Sequence, residues 1–142
     1  MQIKSILLPV DGSSHSDHAV DYAAYLAELS GAHITVVSCY EWRENFPEVH
    51  DALIEKMKES VEKSAAETLA NATRHLQSAG VEHTGKTIAG APGSVLTDLA
   101  KSGEFDLIIM GSHGHSEISG LFLGSVTHKV LNTIYCPVMV VP

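Results

Sequence analysis

The stretch Asp106-Leu107-Ile108-Ile109-Met110-Gly111-Ser112-His113-Gly114 decides the fold. Its apolar run leaves no polar face, so it reads as a strand covered on both sides, the condition of a parallel sheet. It then breaks at once into glycine and polar residues. Ile6-Leu7-Leu8-Pro9-Val10-Asp11-Gly12-Ser13 repeats the pattern near the N-terminus: an apolar run, then a polar tip with a glycine. In open α/β sheets ligands sit beyond the carboxyl ends of strands, where the chain reverses its travel across the sheet. These two tips are therefore the first candidates for a site.

Outward from them, strands are predicted over Ile3–Val10, Ile34–Tyr40, Val81–Ala89, Phe105–Met110 and Val138–Val141. The third is more polar and suits a place near an edge. A helix starts at Ser14, with Asp17 at the capping-box spacing. Ala19, Val20, Ala23, Leu26 and Ala27 form its apolar stripe, and Gly31 ends it. After a polar loop from Glu41 to Phe46, Pro47 suits the first turn of a long helix that Gly80 closes. A short helix follows Pro92, and another runs from Ser125 to Asn132. Strands alternating with helices imply a parallel sheet with helices on both faces. No linker or repeat interrupts it, so one domain is expected over residues 1–142.

Composition removes several function classes. The net charge is −8 with histidines neutral, and the nine Lys and Arg residues are scattered. No basic face is offered to nucleic acid, and an anionic membrane would repel the surface. No apolar run approaches the ~20 residues of a membrane span, and Met1-Gln2-Ile3-Lys4 lacks the regions of a signal peptide. A cytoplasmic location is the resulting expectation. Cys39 and Cys136 read as small buried residues, and no C-x-x-C motif is present.

After the fourth strand the chain passes Gly111, Gly114 and Gly120 to Gly124-Ser125-Val126-Thr127. Glycines let backbone N–H groups approach a ligand, and a helix N-terminus supplies unpaired donors with a partial positive charge. That combination suits a phosphate. The spacing alone equally suits a flexible loop followed by an ordinary helix cap. Walker A and Rossmann glycine motifs are absent. His113, His115 and His128 match no zinc spacing, and Ser125 lacks the G-x-S-x-G of a nucleophile elbow.

Gly111-x-x-Gly114, nine residues, then Gly124-Ser125 resembles the G-2x-G-9x-G-S/T motif of ATP-binding universal stress proteins. The strands ending at Ser13 and Gly114, and Cys136-Pro137-Val138-Met139-Val140-Val141, are similar to the same family's. The resemblance spans essentially the whole chain. It implies an open five-stranded sheet of order 3-2-1-4-5. It also implies ATP at the reversal point, with Pro9 and Val10 lining the adenine slot and Asp11 facing the ribose. Cys39 would touch adenine through its backbone. Met110, Gly111, His113 and Gly114 would border the ribose and first phosphates. Gly124, Ser125 and Val126 would hold the outer phosphates through N–H groups, with Thr127 assisting.

Between Gly111 and His128 there is no Lys or Arg, so Mg²⁺ would have to share the charge neutralisation. No residue stands out as a catalytic base. The expectation is a regulatory protein that is occupied by ATP, with at most weak ATPase activity. The alternative is a slow Mg²⁺-dependent ATP hydrolase or phosphotransferase in which His113 or Asp11 positions water. A homodimer is also expected, because Val138, Met139, Val140 and Val141 would make an apolar sheet edge that needs pairing.

Overall fold

The computed structural model describes residues 1–42, 47–115 and 123–142. The elements are β1 (Ser5–Pro9), α1 (Ser14–Ser30), β2 (His33–Tyr40), α2 (Asp51–Ser78), β3 (His83–Ala89), α3 (Pro92–Lys101), β4 (Leu107–Gly111), α4 (Ser125–Asn132) and β5 (Val138–Val141). All strand pairs are parallel, in the order β3-β2-β1-β4-β5. From β1 the chain steps through β2 to β3, then returns to the other side of β1 for β4 and β5. The reversal falls between β1 and β4.

Strand periodicity sorts the apolar runs into two cores. Ile6, Leu8, Ile34, Val36, Leu107 and Ile109 face one layer with α1 and α2, where Ala19, Ala23, Ala27 and Leu76 pack. Leu7, Val37, Ile108 and Met110 face the other, with Leu96 of α3 and Val130 of α4. This two-sided burial explains the unbroken apolar runs of the central strands. β3 is the polar edge strand, its side chains largely exposed.

Three expectations shift. The cap of α1 is Ser13, one residue earlier than the Ser14–Asp17 box implies; its Oγ accepts the Ser16 N–H at 3.2 Å. The Ser13 N–H in turn donates to Asp11 Oδ1 at 2.9 Å, which closes the turn and leaves Ser14 as the first helical residue. The long helix begins at Asp51, so Pro47 lies in the preceding turn. The cysteines are half-buried free thiols, not fully buried. Of the predicted loop from Glu41 to Phe46, residues 43–46 lie outside the described residues, as do Gly120 and the rest of 116–122. Among the described residues, no helix is long and apolar enough to cross a membrane.

Candidate functional site

A cavity of about 540 Å³ opens at the carboxyl ends of β1, β2 and β4, on the α3–α4 side of the sheet. That is an ordinary size for a small-molecule site. Every residue that the resemblance assigns to the nucleotide site lines it. Pro9, Val10 and Asp11 come from the end of β1, and Cys39 from β2. Met110, Gly111, His113 and Gly114 come from the tip of β4, and Gly124, Ser125, Val126 and Thr127 from the start of α4. Six further residues share the wall: Ser16, Val37, Glu41, Pro92, Leu96 and His115. Glu41 follows a strand end, a position the topology rule points to. Val37 falls in a predicted strand and Leu96 in a predicted helix, and nothing in their pattern marks them as lining.

The walls are drawn together by close backbone approach. A Cβ on Gly111 would stand 2.8 Å from the His15 carbonyl carbon, so the absence of a side chain lets α1 dock on the tip of β4. A Cβ on Gly124 would lie 3.1 Å from His113 Cα and 3.3 Å from Ser112 O. Gly124 has an ordinary φ of −59°, so it is required there for space and not for handedness. Its N–H donates to Ser112 O at 2.8 Å, and Thr127 Oγ1 donates to Gly111 O at 2.9 Å. Both contacts staple α4 to the β4 loop.

They also revise two expected roles. The Gly124 N–H is engaged within the protein, and the Thr127 hydroxyl serves as a strut. The N–H groups of Ser125, Val126 and Thr127 remain as first-turn donors of α4, and no side chain caps this end. Gly124 is itself the N-cap residue, so Ser125, exposed in the first turn, is not the cap.

On the facing wall the Asp11 carboxylate accepts from Ser13 and reaches toward Gly114, where an added Cβ would be 2.7 Å from Oδ2. The Asp11 N–H donates to Ser16 Oγ at 3.2 Å, and the Ser13 hydroxyl donates to the His113 carbonyl at 3.4 Å. Burial pushes the Cys39 thiol up to about 11, so it enters the cavity as a small neutral group and not as a thiolate. The arrangement is a slot with Val10, Val37, Cys39, Pro92, Leu96 and Met110 on its apolar walls. A helix N-terminus and a glycine-bearing loop lie to one side. It fits a flat apolar ring system joined to a hydroxylated and anionic tail.

The Universal stress protein family model matches residues 2–142, and the chain belongs to that family. A Thermus aquaticus universal stress protein, encoded 3′ of a QAH/OAS sulfhydrylase, is 33% identical over 141 residues, covering 97% of this chain and 98% of that one. The universal stress protein UspA of Lactobacillus plantarum superposes with a TM-score of 0.88 at 22% identity, over 100% of this chain and 99% of that one. A universal stress protein solved in complex with cAMP superposes with a TM-score of 0.75 at 27% identity, over 100% of this chain and 99% of that one.

Proposed function

We propose that the whole chain, as one domain, binds ATP in this cavity and acts as a nucleotide-dependent regulatory protein of stress response, occupied by its nucleotide more than consuming it. The observation that carries the reading is the cavity's position. It lies at the β1–β4 reversal point and is bounded by the uncapped N-terminus of α4. The cAMP-bound relative supports an adenine nucleotide as occupant. In this reading Pro9, Val10 and Cys39 border the adenine, and Asp11 accepts from the ribose hydroxyls. Met110, Gly111, His113 and Gly114 border the ribose and first phosphates. The phosphates end on the Ser125, Val126 and Thr127 N–H groups and the Ser125 hydroxyl.

Among the described residues no group of three or more His, Cys, Asp or Glu could hold a metal ion. Mg²⁺ would therefore arrive on the phosphates, keeping most of its waters, as this ion does in many nucleotide sites. Neutral backbone donors hold ground-state phosphates about as well as a transition state, and uniform binding does not accelerate chemistry. Occupancy can still act, by selecting the arrangement of the Gly111–Ser125 loop that a partner engages.

Calorimetry with Mg·ATP and Mg·GTP tests the site. Guanine's 2-amino group would crowd the apolar slot beside Cys39, so ATP is expected to bind at least about 10-fold more tightly, near 1.4 kcal/mol. Equal affinities, or no binding of either, would refute this slot.

We further propose a homodimer through β5. The two sheet edges differ. β3 carries Lys86 and exposed polar side chains, a protected edge, whereas Val138, Met139 and Val140 of β5 are apolar and only half-covered. Pairing β5 with its copy about a two-fold axis removes the edge. Val140 packs on neither core cluster, whereas Val141 is 2% exposed, so a point change is cleaner than deleting the strand. Val140→Lys is expected to sediment as a folded monomer; a dimer of undiminished affinity would place the interface elsewhere.

A further inference from the structure

We propose that His113 and His115, with His15 as a positioning residue behind them, form a proton-coupled phosphate-recognition cluster. The cavity then takes up a phosphate more tightly as the pH falls. The inference rests on the nucleotide reading above and adds its regulation.

The charge of the wall is the starting point. Among the described residues the cavity is lined by two carboxylates, Asp11 and Glu41, and by no Lys or Arg. With neutral imidazoles its only positive feature is the partial charge at the N-terminus of α4. A phosphate brought there meets a net negative wall in a partly desolvated slot, where screening is weaker than at an open surface. Among the described lining side chains, only His113 and His115 carry an imidazole that can take up a proton.

Their setting suits that use. His113 Nδ1 lies 3.0 Å from Ser112 Oγ, a hydroxyl that can donate to a neutral ring or accept from a protonated one. The His15 ring packs against it with centroids 5.3 Å apart and planes tilted by 57°. That contact shields one side of His113 from water. His15 Nδ1 is itself buried without a hydrogen-bond partner among the described residues, an unusual state for a polar atom outside a functional site. His115 Nε2 contacts the Asp11 carbonyl, which can only accept, so Nε2 carries the hydrogen and the second proton goes to Nδ1.

Among the described residues, the surrounding elements bring no competing cation. α1 contributes His15 and Ser16, with the charge of Asp17 exposed in its first turn. α2 approaches through Thr68, beside Gly12 and His115. α3 contributes Pro92 and Leu96 to the wall. On α4, Lys129 donates to Ser94 Oγ at 2.8 Å and His128 pairs with Asn132, both exposed and outside the lining set.

The sign follows by linkage. A bound anion stabilises the imidazolium form, so binding takes up a proton, and affinity rises as pH falls. Terminal phosphate monoesters titrate near 6 themselves, so the probe must not. Cyclic AMP carries one fixed charge, and adenosine carries none.

Their dissociation constants would be measured by calorimetry between about pH 8 and pH 6. Cyclic AMP is expected to bind roughly 10-fold more tightly at the lower pH, the size of one charge–charge contact at a partly exposed site, with adenosine unchanged. His113→Gln and His115→Gln, checked for folding by thermal melting, should each flatten the cyclic AMP profile. A flat wild-type profile, or one that adenosine shares, overturns the cluster while leaving the nucleotide site standing. No binding of either probe at any pH overturns the nucleotide reading and the cluster with it.

Discussion

Gly124→Val is expected to give a folded protein that no longer retains ATP. The added Cβ would lie 3.1 Å from His113 Cα and 3.3 Å from Ser112 O, both backbone atoms that cannot rotate aside. Relief comes only by moving the start of α4 away from the β4 loop, and that displaces the Ser125, Val126 and Thr127 N–H groups together. Hydrogen bonds to a charged phosphate contribute about 1.5–3 kcal/mol each, so losing two of them lowers affinity by about 100-fold or more. The φ of −59° suits valine, so the folding cost is that of local crowding, about 1–3 kcal/mol. Ser125→Ala, which removes one exposed hydroxyl and no backbone donor, should cost about 0.5–1.5 kcal/mol of binding, up to about 3 against a charged oxygen. Calorimetry with both variants, and sedimentation without nucleotide, checks the ordering. Unchanged ATP affinity in a folded Gly124→Val protein would show that the phosphates do not lie on α4. An unfolded variant would show that this glycine is structural.

Gly111→Ala should act on the fold instead. Its Cβ would sit 2.8 Å from the His15 carbonyl carbon and 2.9 Å from His15 Cβ, closer than real side chains come. The contact joins the first turn of α1 to the tip of β4, and both are anchored. β4 pairs with β1 and β5, and α1 buries Ala19 and Ala23 against the sheet. Overpacking of this kind costs about 1–3 kcal/mol, with the upper end expected here because backbone must move. At this chain length each kcal/mol lowers Tm by roughly 2–4 °C, so a fall of several degrees is predicted by calorimetric melting. A variant that melts with the parent protein would show that α1 and β4 do not approach as described.

The sequence carries the strands because each central one is buried on both faces. Ile6-Leu7-Leu8 and Leu107-Ile108-Ile109-Met110 have no polar alternation to obscure them, and the glycines that follow mark where each run stops. Helix starts were less legible. A serine pair at Ser13-Ser14 offers two caps, and only the Asp11 carboxylate, accepting the Ser13 N–H, selects the first. Pro47 suits a first helical turn by its φ, yet the turn before Asp51 accommodates the same φ.

Much of the cavity could be drawn from the sequence, since strand ends and glycines were enough to bring Pro9, Asp11, Gly111 and Ser125 into one list. Val37 and Leu96 escaped it because an apolar residue lining a slot has the same local pattern as one in the core, and only the packing of α3 over the sheet distinguishes them. Partnering escaped it as well. A glycine in the motif offers an N–H in principle, but that of Gly124 is directed at Ser112 O, and the Thr127 hydroxyl at Gly111 O.

By itself the sequence determined the strands, the apolar faces and the residues beyond the strand ends, because these depend on short-range periodicity and turn chemistry. The tertiary structure decided which donors stay free, which glycines are pressed by backbone, and that His15, nearly a hundred positions away in the chain, packs on His113. Such contacts arise only when the β1–β4 crossover brings distant loops together, and no local pattern encodes them.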